Sequence, residues 1–236
     1  MKFSATRITV STLGALAGLS GIEHGLGEVL QGNVASPGIV FQSWPDSALF
    51  SILNGEPAMS IVPNLLVTGI LAIIMSSIFL VWATVFIEKR HGGLVLILLS
   101  VAVLLVGGGF GPFILGLVIG LAATRINTRQ PGWRNRIPAG LRQRLDSFWP
   151  WLYGTDLIAW LMLFVGWPLI GLLPGVAGSD AIVIPLCINI AAAFGLLLLL
   201  VAAGFVRDSR RLTEAGKTAS GDRNDCIGRT ENTNSS

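Results

Sequence analysis

Apolar runs long enough to cross a bilayer alternate along this chain with shorter polar connections. A helix needs about 20 apolar residues to cross the hydrocarbon core. The pattern predicts such spans over 8–30, 61–87, 152–173 and 181–206. Leu94–Thr124 is longer than one crossing and carries Gly107-Gly108-Gly109-Phe110-Gly111-Pro112 at its middle. Glycine and proline break a helix there, so this stretch divides into spans over 93–108 and 111–126. Each arm reaches roughly 23–26 Å at about 1.5 Å per residue, against a core of about 30 Å. The glycine tip is therefore expected to stop short of the surface, where lipid cannot hydrogen-bond its backbone. The fold class that follows is all-α, a polytopic transmembrane helical bundle over 1–206 with about six spans and a short broken central hairpin. The segment 207–236 is rich in Ser, Thr, Asn and charge without an apolar period, and is expected to be a disordered tail.

Charge placement orients the spans. Lys2 and Arg7, Lys89 and Arg90, Arg125 to Arg144, and the chain from Arg207 hold the cations, whereas 31–60, 107–112 and 174–180 contain none. Lys and Arg near membrane spans stay on the cytoplasmic side. Two crossings within Leu94–Thr124 put all sixteen Lys and Arg residues on that side, with N- and C-termini cytoplasmic. The expected location is the cell membrane, multi-pass, of a prokaryotic cytoplasmic type. Lys2, Arg7 and the apolar run after them also resemble a secretory signal. The apolar period continues to Leu30, which favours a retained span.

Composition agrees. Charged residues are 12% of the chain and hydrophobic ones 52%, whereas a soluble domain carries roughly a quarter charged residues. The net charge of +3 flanks apolar spans instead of interleaving with aromatics, so nucleic acid is not an expected partner. The lipid bilayer is. The basic segment Arg125–Arg144 could also favour anionic lipid head groups. Its part from Pro138 to Trp149 reads as an interfacial helix. In the outer connection, Ser43 to Asn54 reads as a short helix with Leu49, Phe50 and Leu53 on one face.

The first span carries the candidate chemistry. Residues placed every 100° around its axis fall on three faces. Leu19, Ile22, Leu26, Val29 and Leu30 suit lipid. Gly14, Gly18, Gly21 and Gly25 suit close contact with a neighbouring helix, as Gly116 and Gly120 do in the fourth span. Ser20, His24 and Glu28 climb a third face, with Glu23 beside them, and ionisable groups at this depth belong in the bundle or a wet cavity. Asn64 and Asn189 are added as polar residues of the second and last spans. Asp46, Glu56 and Asp180 lie in outer connections. Together these outline an acidic outer vestibule floored by the glycine tip, with His24 as its natural switch near neutral pH.

Sharper chemistry fails on spacing. Gly18-Leu19-Ser20-Gly21 is similar to the GxSG pattern of rhomboid-like proteases, but His91, the other histidine, falls in a basic loop and cannot be its base. No metal site is expected. Glu23 lies about 140° around the helix from Glu28, so a metal would need Asn64 or Asp46 as well. The Gly107–Gly111 run lacks the Lys and Ser or Thr of a phosphate loop, and no motif specifies a cofactor. Asp156 is expected to pair with Arg142 or Arg144, or to cap its helix. The expected function is a small channel, transporter or transport-associated subunit for a proton, cation or small polar solute. A non-enzymatic scaffold or sensor binding a protein partner is the alternative, and a membrane-embedded lipid-modifying enzyme comes third. No partner or oligomeric state is specified.

Overall fold

The computed structural model describes residues 4–45, 47–53, 55–126, 138–173 and 180–233. The protein is mostly helical, 78%. Its helices are α1 (Ala5–Gln31), α2 (Leu65–Val81), α3 (Gly92–Leu105), α4 (Phe110–Ala123), α5 (Ala139–Leu161, carried on to Gly171) and α6 (Val183–Thr233). Among the described residues, three stretches are long and apolar enough to cross a membrane: Leu65–Phe86, Gly140–Gly171 and Val183–Arg210. The arms α3 and α4 are shorter apolar helices. At 14 residues each they rise about 21 Å.

α1 is the helix around which the others gather, packing against α2, α4 and α6. It begins where the Ser4 hydroxyl accepts from the Arg7 N–H and ends at Gly32, whose φ of 86° turns the chain away. Val10, Leu13 and Ala17 of α1 share the core with Phe79 and Ala83 of α2, Leu115 and Ile119 of α4, and Leu197 and Leu200 of α6. Leu19, Leu26 and Leu30 stay exposed on the opposite side. So do Ile70, Ile74, Ile78 and Val81 of α2, the apolar exterior that a span presents to lipid.

Polar contacts collect at one end. Arg7 pairs with Glu88 at 3.2 Å. Asp208 of α6 accepts from the Ala5 and Thr6 N–H groups at 2.7 and 3.0 Å, which satisfies orphan donors of the first turn of α1. Asp146 of α5 holds Arg210 at 2.7 Å, and Arg207 stacks over Trp149 with 5.2 Å to the ring centre.

At the other end the connection after α1 differs from its expected form. A two-stranded antiparallel hairpin, β1 (Val40–Gln42) and β2 (Pro57–Met59), brackets a 3-10 turn at Ala48–Leu53. Phe41, Ala58 and Leu65 bury themselves beneath it, and the Trp44 and Phe50 rings stack at 5.5 Å. The second helix starts at Leu65, not 61, because Asn64 caps it and Ser60 pairs with Val106 instead.

Two further expectations are corrected. Pro138 to Trp149 is not a separate interfacial helix. It runs unbroken into the helix over the predicted 152–173 span as α5, with Pro150 inside, followed by a wide π turn at Met162–Gly166. α6 continues past Arg207 to Thr233, through the segment whose composition predicts no regular structure.

Candidate functional site

The glycine face of α1 lies on α2. A Cβ added at Gly14 would sit 2.5 Å from Ala83 Cβ, one at Gly18 2.6 Å from Leu80 Cβ, and one at Gly25 2.7 Å from the Gly69 carbonyl oxygen; one at Gly21 would strike the Ser76 hydroxyl. Gly116 and Gly120 do the same for the α3–α4 hairpin, against Ser100 and Ile97 at 2.7 Å each. These approaches seat α1 deep in the bundle and turn its polar face toward the hairpin tip.

That tip is closed by protein backbone. The Gly107 N–H donates to the Met59 carbonyl at 2.9 Å, and the Ile61 N–H to Leu105 at 3.0 Å. The Thr68 hydroxyl donates to the Val106 carbonyl at 2.8 Å. Irregular backbone within a bundle requires such partners. Gly107, Gly108 and Gly109 are buried. Gly107 (φ 98°) lies against both carboxylate oxygens of Glu28, and Gly109 (φ 83°) against Nε2 of His24. No side chain fits at either position, so glycine here makes room for the two ionisable groups.

His24 is 4% exposed and Glu28 fully buried. The His24 Nδ1 lies 3.0 Å from the Ser20 carbonyl and 3.2 Å from Glu23 Oε2. Its Nε2 faces Glu56 Oε2 at 3.1 Å. Glu56 arrives from the β1–β2 hairpin, one residue before β2, positioned by the Ser43 N–H donating to its carbonyl at 2.9 Å. The Ser43 hydroxyl donates to Glu28 Oε1 at 3.3 Å, while Oε2 of Glu28 has no hydrogen-bond partner. Gln31 holds this loop to α1 through the Ser43 carbonyl at 2.7 Å.

Burial lifts the Glu56 carboxyl to about 8; neighbouring His24 opposes the rise, and Glu23, hydrogen-bonded to it, adds to it. One donor atom each from Glu23, His24 and Glu56 lies within 4.8 Å of the others. This three-donor set departs from the expectation of no metal ligands. Turning around α1 separates Glu23 from Glu28, but the third donor, Glu56, comes from the residue just before β2, which helical spacing cannot reveal.

The remaining predicted residues lie elsewhere. Ser20 contributes its carbonyl to His24. Asn64 caps α2, accepting from Val67 N–H at 3.1 Å and donating to Asn33 at 2.7 Å. Asn189 accepts from the Trp167 indole at 2.7 Å and so ties α6 to α5. Asp156 does not meet Arg142 or Arg144. All three share one continuous helix, where twelve residues span about 18 Å, and Asp156 is buried beside Trp160 instead. Asp46 and the Asp180 side chain lie outside the described residues. Ser43 is the residue missed as a site member, and Glu56, expected in the vestibule, was not expected to meet His24. The one signal for Glu56 was an acidic residue in a connection free of Lys and Arg.

No family model, curated protein or solved structure matches the chain.

Proposed function

We propose that this chain is a six-span membrane protein with both termini cytoplasmic, acting as a small channel, transporter or transport-associated subunit that takes up a cation from the outer side. The binding groups are Glu23, His24, Glu56 and Glu28. One observation carries the reading: three carboxylates and one imidazole gather at the end of the bundle where no Lys or Arg approaches among the described residues, with His24 and Glu28 buried and Glu23 and Glu56 partly so. Between Arg7 and Lys89 the chain contains neither residue type. Carboxylates at this depth are unfavourable by a few kcal/mol each on insertion scales, so a folding role alone would favour apolar replacements. A positive charge supplied from solution offsets that cost. The β1–β2 hairpin lies against the cluster through Ser43 and the adjoining Glu56.

The test is cation flux into liposomes carrying the purified protein, with Na⁺, K⁺, Mn²⁺ and Zn²⁺ offered singly. Flux above that of empty liposomes, lost in His24→Ala and in Glu56→Gln, is expected. Flux no greater than in empty liposomes for all four ions would remove the transport reading.

A further inference from the structure

The cluster is specific in its donors, not merely acidic. Ser20 is one helical turn before His24, so its carbonyl receives the Nδ1 proton at 3.0 Å. With Nδ1 donating there, Nε2 is the ring nitrogen left to bind a metal once any proton on it is lost, the arrangement that orients metal-bound histidines. Nε2 faces Glu56 Oε2, 3.1 Å away. Two donors bound to one tetrahedral ion at about 2.1 Å stand about 3.4 Å apart. Glu23 completes a set whose donors all fall within 4.8 Å, and its Oε1 is buried without a hydrogen-bond partner.

A second, separate observation points the same way. Glu28, one turn beyond His24 on the same face, is fully buried, and its Oε2 has no partner. Its carboxylate is close enough to act electrostatically on His24. Positive charge at the Glu23–His24–Glu56 centre would offset this carboxylate, and no Lys or Arg is within reach along 8–88 to supply it.

We propose that Glu23, His24 and Glu56 bind one divalent transition-metal ion of the Zn²⁺ or Mn²⁺ class, with Glu28 as a nearby balancing charge. Imidazole nitrogen selects such ions over Na⁺, K⁺ or Ca²⁺, which prefer oxygen alone. The donor set of one nitrogen and two carboxylate oxygens leaves coordination positions for water or for the next site on a path. The inference rests on the reading that this cluster holds a cation, and it names which one.

Calorimetric titration of ZnCl₂ and MnCl₂ into the untagged full-length protein in lipid nanodiscs tests it. One equivalent should bind, and Glu56→Gln or His24→Ala should each weaken binding by about 10–100-fold. Cys187→Ser with Cys226→Ser should leave binding unchanged. Failure of both ions to bind more tightly than roughly 100 µM, or equal binding by wild type and the cluster variants, overturns the proposal. Should the variants not fold, Co²⁺ added to wild type decides. A ligand-field spectrum of nitrogen and oxygen donors supports the site, and thiolate charge-transfer bands overturn it. Metal binding without flux would end the transport reading and support the metal site. Flux of Na⁺ or K⁺ that needs His24 and Glu56, with no metal bound, would do the reverse.

Discussion

Nε2 of His24 and Oε2 of Glu56 stand 3.1 Å apart, joining the innermost face of α1 to the residue that leads into β2. The contact exists because two separate devices meet. Glycines along α1 let it sink against α2, and the β1–β2 hairpin folds back over the end of α1 through Ser43 and Gln31. Gly109 leaves the space that the imidazole occupies.

Gly109→Ala tests that space. Gly109 has φ 83° and ψ 156°, a region open essentially to glycine alone, so the backbone term by itself costs about 1–3 kcal/mol. A methyl group would also displace His24. Thermal unfolding in detergent should show a clear loss. Gly195→Ala, at an open position on α6, should show none, and equal losses would sink the packing account of the tip.

The α1–α2 seam makes its own demand. Gly18→Leu forces a side chain into Leu80, and overpacking of this kind typically costs about 1–3 kcal/mol. Leu26→Ala removes an exposed side chain and should change the thermal midpoint little. The reverse order of effects would mean the two faces of α1 are misassigned.

Glu28→Gln separates stability from function. The amide keeps the shape but removes a charge buried with only Ser43 as a hydrogen-bond partner. Because an isolated buried charge is disfavoured by a few kcal/mol, the midpoint should hold or rise while cation flux falls. A variant less stable than wild type and equally active would make Glu28 structural.

Asp208 joins the two ends of the bundled chain. Its carboxylate accepts from the N–H groups of Ala5 and Thr6, so Asp208→Ala should cost about 0.5–2 kcal/mol, as loss of a helix cap does. Amide exchange over the first turn of α1 should rise with it. Unchanged exchange there would show that the contact contributes nothing.

Orientation is read by single cysteines in a chain lacking Cys187 and Cys226. Cysteine at Val34 or Ile61 should react with an impermeant thiol reagent added outside cells. Cysteine at His91 or Arg142 should react after the membrane is opened. External labelling at position 142 would overturn the two-crossing hairpin.

The sequence alone determined what depends on local pattern. Apolar runs set the helices, because a residue's transfer into lipid is decided by its own chemistry, and the glycine and proline cluster at 107–112 set the reversal between α3 and α4. The three faces of α1 follow from the 3.6-residue period, so the packing glycines and the Ser20–His24–Glu28 face were legible as a list. The tertiary structure decided who meets them. Strand β2 is three residues long and lacks a period that could announce it. It forms because its backbone finds β1 on one side and the hairpin tip at Gly107 on the other. That pairing carries Glu56 to His24, an encounter between positions far apart in the chain and invisible to any helical wheel. Likewise, the join of Pro138–Trp149 to the rest of α5 depended on packing against α6, through Asp146 with Arg207 and Arg210, which local charge and hydrophobicity do not encode.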